Sequence, residues 1–64
     1  MNILIRQPKV DLGGFSQISM DVQVIPAKGE FVSAFDGTTA VNGVVKLVSH
    51  QIQGNTHIIV VELE

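Results

Sequence analysis

The feature that most constrains this chain is residues 44–63, VVKLVSHQIQGNTHIIVVEL. Two apolar, β-branched runs flank Gly54-Asn55, and glycine at the first central position suits a two-residue type II′ hairpin turn. That turn dictates a register. Gln53 faces Thr56, Ile52 faces His57, His50 faces Ile59, Val48 faces Val61 and Lys46 faces Leu63. One face of the ribbon then carries Val44, Val48, Ile52, Ile59, Val61 and Leu63, with His50 and His57 as diagonal neighbours near the turn. The other face carries Val45, Leu47, Ile58 and Val60 among Ser49, Gln51 and Glu62. A ribbon apolar on one face and half apolar on the other requires a core beneath it and a second cover.

Length decides how that demand is met. The 64 residues make a single domain, 1–64, near the lower limit of independent folding. A chain this short buries only about 60% of its unfolded surface, so regular β-packing or self-association must supply the rest. The chain has no cysteine, which excludes a disulfide framework and a cysteine zinc site and fits a reducing compartment. A hydrophobic content of 45% is more than so small a body can bury, which favours a homo-oligomer, a dimer or a ring. Net charge is −2, and Arg6, Lys9, Lys28 and Lys46 are scattered, so the footprint of a phosphate-backbone binder is missing. The longest apolar run, IIVV from Ile58, is far short of a membrane span, and MNILIRQPKV lacks a signal-peptide pattern. The expectation is a soluble, cytoplasmic protein.

Upstream, Ile3-Leu4-Ile5 reads as a short strand at a sheet edge, since Pro8 cannot donate to a ladder. Residues 7–15 read as a loop in which Asp11 closes a local turn and Val10, Leu12 and Phe15 plug one end of a barrel. Residues 17–25 alternate cleanly, with Ile18, Met20, Val22 and Val24 on one face. Pro26 to Gly29 is turn chemistry, and Phe31-Val32-Ser33-Ala34-Phe35 opens a new strand. Asp36-Gly37 and Asn42-Gly43 are two strong turn signals too close together for both to join full strands. DGTTAVNG is therefore expected as a protruding connection, the alternative being a bulged continuous strand kinked at Gly43. The choice decides whether Val41 is exposed or core.

No segment shows a helical period, and no repeat or low-complexity tract is present. The fold class expected is all-β: a small antiparallel barrel, SH3-like, or a rolled sheet of four to five strands. Its core should include Leu4, Ile18, Met20, Val22, Val24, Val48, Ile59 and Val61. The series Val24-x-Pro26-x-x-Gly29-Glu30-x-Val32, then Val45-x-x-Val48-x-His50, then Ile58-x-Val60 resembles small SH3-like β-barrel proteins of phages and mobile elements. The resemblance implies a fold and a phage setting; it implies no reaction and no site.

No constellation in the sequence points to an enzyme. Ser16, Ser19, Ser33 and Ser49 lack a nucleophile-elbow setting, and Gly13-Gly14 is followed by no helix that would cradle a phosphate. His50 and His57 are close enough to share a metal only if a third ligand arrives, and none is in register, so no metal and no cofactor are assigned. Stacking on nucleic acid needs surface rings, while Phe15, Phe31 and Phe35 are the only aromatics and at least two are expected in the core. The function expected is a non-catalytic protein-interaction module, such as a phage-encoded inhibitor of a host factor. The binding loop would offer Thr38, Thr39 and Asn42 as hydrogen-bonding groups and Val41 as an apolar anchor. Val45, Leu47, Ile58 and Val60 would form the oligomer interface. One alternative is an oligomer that sequesters a nucleotide through Arg6, Lys46, His50 and Asn55; another is a structural subunit of a larger particle.

Overall fold

Alternation and turn chemistry give residues 1–9 and 13–64, the part described by this computed structural model, five strands and no helix. They are β1 (Asn2–Pro8), β2 (Phe15–Asp21), β3 (Phe31–Phe35), β4 (Ala40–Gln53) and β5 (Thr56–Leu63). Their order across the sheet is β2-β1-β5-β4-β3, and the sheet rolls into a nearly closed barrel. Neighbours are antiparallel except β1 and β5, which run parallel over Leu4↔Val60 to Arg6↔Glu62. The sheet is thus mixed rather than wholly antiparallel. The barrel-end plug and local turn expected of Val10, Asp11 and Leu12 lie outside the described residues.

The C-terminal hairpin forms in the dictated register from Gln53↔Thr56 to Val48↔Val61. Gly54 takes φ 59°, and Asn55 is not left-handed, as a type II′ turn requires. Beyond Leu47↔Glu62 the ladder departs from expectation. Val45, not Lys46, faces Leu63, because a β-bulge lies between Val45 and Leu47. One extra residue reverses the alternation on one side of the bulge. Val41 and Val45 consequently point inward before it and Val48 after it, while Val44 turns out.

β4 is long because it is two half-strands joined end to end. Residues 40–44 pair with β3, and residues 45–53 pair with β5. The expected protruding loop is therefore reduced to residues 36–39, and the bulged-strand alternative describes β4, with its bulge at Lys46 rather than Gly43. Val41 is 0% exposed.

The core is Ile3, Ile5, Ile18, Val41, Val45, Ile59, Val61 and Leu63, with Met20, Val22 and Val48 packed at its margin. Two expected core residues are elsewhere. β1 lies between β2 and β5 instead of at an edge, and it sends Ile3 and Ile5 inward, so Leu4 faces out and is only half-buried. β2 ends at Asp21, three residues before Val24, which is exposed in the connection to β3.

A side chain completes the pairing where the β1–β5 ladder stops at Arg6. The Gln7 amide Nε2 donates to the carbonyls of Asn42 and, at 3.1 Å, Glu64, and its Oε1 accepts the Asn42 N–H at 3.1 Å. The carboxamide thereby stands in for a ladder partner between the two ends of the sheet, satisfying both backbone groups of Asn42. Gly43 makes this approach possible. A Cβ there would sit 2.9 Å from Gln7 Nε2 and from the Glu64 carbonyl oxygen.

Candidate functional site

β2 and β3 end the sheet order, and no strand pairing joins them among the described residues. The two edges differ in kind. β2 shows Gln17, Ser19 and Asp21 outward, polar groups that guard an edge. β3 is FVSAF, with no charge and no proline. Period two sends Val32 and Ala34 toward the core, which leaves Phe31 and Phe35 outward at 68% and 62% exposure. The cross-strand partners on that face are Val44 beside Phe31, Asn42 beside Ser33 and Ala40 beside Phe35. Ser33 Oγ and Asn42 Oδ1 are hydrogen-bonded at 2.6 Å between the two rings. The result is an apolar strip along an edge strand, with one polar rung at its centre.

The strip ends at the turn of residues 36–39. Asp36 organises it: its Oδ1 accepts the N–H of Thr39 at 2.7 Å and of Thr38 at 2.9 Å, and the Asp36 N–H donates to the Thr39 carbonyl at 3.2 Å. The Thr39 and Thr38 N–H donors hold the Asp36 carboxyl below the usual aspartate range. Of the expected binding loop, Thr38 is exposed, Thr39 is half-buried and Asn42 is exposed on the β3–β4 face. Val41 is core and offers no anchor. Phe31 and Phe35 supply the exposed apolar groups instead. With only three aromatics the core is expected to claim at least two, yet the i, i+4 spacing of Phe31 and Phe35 on a strand places both on one face.

The distal end of the hairpin is a two-stranded arm. Residues 50–58 are exposed, and residues 51–58 pair only with each other, because β1 meets β5 from Val60 onward. Ile52, on the apolar face of the hairpin, is 68% exposed on this arm. Its 14-residue strand, β4, outruns its neighbours β3, of five residues, and β5, of eight. His50 Nδ1 and His57 Nε2 meet at 2.9 Å on the same side of the arm. The expected oligomer face is likewise split. Leu47 and Ile58 are exposed, Val45 is in the core, and Val60 is buried on the outer face between Leu4 and Ser49 on its two neighbouring strands.

An open cavity of about 200 Å³ is lined at the bulge by Lys46 together with Arg6, Phe15 and Glu62. The Arg6 guanidinium rests 3.9 Å above the Phe15 ring. His50 and Asn55 do not line it, so the four groups proposed to hold a nucleotide are not gathered in one place. Among the described residues no three His, Asp or Glu side chains cluster in a metal-binding arrangement, and no helix is long and apolar enough to cross a membrane. No known protein family, curated protein or solved structure matches the chain.

Proposed function

We propose that this chain is a non-catalytic protein-interaction module that receives an extended segment of a partner protein along β3. The observation that carries this reading is the unguarded edge: a strand without charge or proline that pairs on one side only among the described residues and exposes Phe31 and Phe35. Edge strands are normally blunted by charge, proline or bulges, and one left bare is suited to strand addition. Backbone groups of β3 would supply affinity, the two rings would take apolar side chains of the partner, and Ser33 and Asn42 would set register. The exposed rings alone would also suit stacking on nucleic acid. The net charge of −2 and the absence of any Lys or Arg on β3 favour a protein. The resemblance to SH3-like barrels of phages and mobile elements adds one setting to this proposal, an inhibitor that occupies a host factor's strand.

The experiment is affinity capture from bacterial lysate with the full chain and with Phe31→Ser/Phe35→Ser, followed by mass spectrometry of proteins and released small molecules. A stoichiometric protein retained by the native chain and depleted at least ~10-fold by the double variant is expected, given that interface aromatics dominate binding. Recovery of a nucleotide with no protein would overturn the reading and shift attention to the Arg6–Lys46 cavity.

A further inference from the structure

Independently of the β3 reading, we infer that His50 and His57 form a two-nitrogen chelate for a divalent late transition-metal ion of tetragonal or octahedral preference, Ni(II) or Cu(II). The two imidazoles sit at diagonal positions of an antiparallel ladder, His50 opposite Ile59 and His57 opposite Ile52. Their ring centroids are 5.2 Å apart with planes tilted by 36°, and His50 Nδ1 and His57 Nε2 approach to 2.9 Å.

That separation matches one geometry once the two exposed rings turn their lone pairs toward a common point. Imidazole nitrogens bind such ions at about 2.0–2.1 Å, and two donors at that radius and this spacing subtend roughly 90° at the metal. This is the cis angle of a square-planar or octahedral site. A tetrahedral ion would need the nitrogens about 3.3–3.4 Å apart. Without metal the same two atoms share one proton in an N–H···N hydrogen bond. On coordination that proton passes through solvent to the donor ring's other nitrogen, so His50 carries its N–H on Nε2, His57 carries its N–H on Nδ1, and both facing lone pairs are free for the ion. Both rings are exposed, so water fills the other positions. Among the described residues no third protein ligand joins the pair, as suits an exchangeable rather than a structural site. The paired backbone from Gln53↔Thr56 to Val48↔Val61 fixes the relative placement of the two residues, so only side-chain rotamers remain to be ordered when metal arrives.

The test uses the untagged full chain titrated with NiCl2 and followed by amide NMR. Saturable paramagnetic broadening centred on residues 50 and 57 is expected, and His50→Ala or His57→Ala should each lower the affinity about 10-fold or more, because either change leaves one donor and no chelate. ZnCl2, diamagnetic and of tetrahedral preference, gives a second reading that needs no variant: weaker binding than Ni(II), with ring-nitrogen shifts at the same His50 Nδ1 and His57 Nε2. The inference fails if both single variants bind Ni(II) as the native chain does. It fails equally if the broadening centres on the amino terminus, or if the zinc-induced shifts fall on the other two ring nitrogens.

Discussion

At the scale of single residues, Gln7 is the side chain whose role is least visible in the sequence. Its carboxamide satisfies both backbone groups of Asn42 and the Glu64 carbonyl, work that a strand would otherwise do. Gln7→Ala leaves those groups to water at a half-buried position and should cost about 1–2 kcal/mol, roughly 5–15 °C in Tm for a domain of this size. Gln7→Glu is the sharper probe. A carboxylate would face two carbonyl oxygens, so the loss should be larger at neutral pH and partly recovered in acid, where the protonated acid regains one donor. Gly43→Ala forces the same contact apart and should destabilise by about 1–3 kcal/mol in thermal or urea melts. Nothing in QPKV or VNGV announces this arrangement, since the partners are 35 residues apart. Asp36 is the opposite case: Asp-Gly before two threonines is legible turn chemistry. Its carboxyl is held low by the Thr39 and Thr38 N–H groups. A depressed folded value means that the contribution is complete above the unfolded aspartate range and is lost as pH falls through the folded value. Asp36→Asn should therefore flatten the stability profile below about pH 4 and leave its neutral limb nearly parallel to that of the native chain.

At the scale of elements, the hairpin shows how far periodicity reaches. Its turn and eight rungs of potential register follow from Gly54-Asn55, and the distal rungs from Gln53↔Thr56 to Val48↔Val61 form accordingly. The error enters at Lys46, where the bulge adds one residue and exchanges the faces of everything before it. A period of two cannot announce its own interruption, and VVKLV is apolar on both faces, so hydrophobicity does not choose between the registers. A mutational pair checks the assignment. Val45→Ala and Val41→Ala remove buried methyls and should cost about 1–3 kcal/mol each, whereas Val44→Ala should stay within about 0.5 kcal/mol. Equal losses at Val44 and Val45 would mean that the bulge lies elsewhere. Ile52→Ala is a parallel test of strand length. An arm that extends past its neighbours loses little there, although Ile52 is as apolar as any core residue.

At the scale of the whole molecule, the all-β class and the barrel were legible because the chain contains only strand periods and turn signals, and five strands this short have few ways to bury both faces of β5. The order β2-β1-β5-β4-β3 was not legible. It depends on the parallel contact of β1 with β5, which joins opposite ends of the chain and leaves no local trace in the sequence. That contact also determines which strands become edges, and hence that β3 rather than the turn beyond it carries the exposed apolar groups. An unguarded edge has a consequence even without a partner. Two copies can lay β3 against β3 antiparallel around a two-fold axis, which continues the sheet and places Phe31 of one copy near Phe35 of the other. Sedimentation velocity from micromolar to millimolar concentration should therefore show reversible dimerisation of the native chain. Phe31→Ser/Phe35→Ser should remain monomeric with an unchanged Tm at low concentration, because neither ring packs in the core. A Lys at Ser33, pointing outward from the middle of the strip, should abolish the dimer by like-charge repulsion across the axis while leaving the barrel intact. If that variant dimerises as well as the native chain, the copies meet somewhere other than β3. The exposed pair Leu47 and Ile58 on the outer face of the hairpin is then the next surface to substitute.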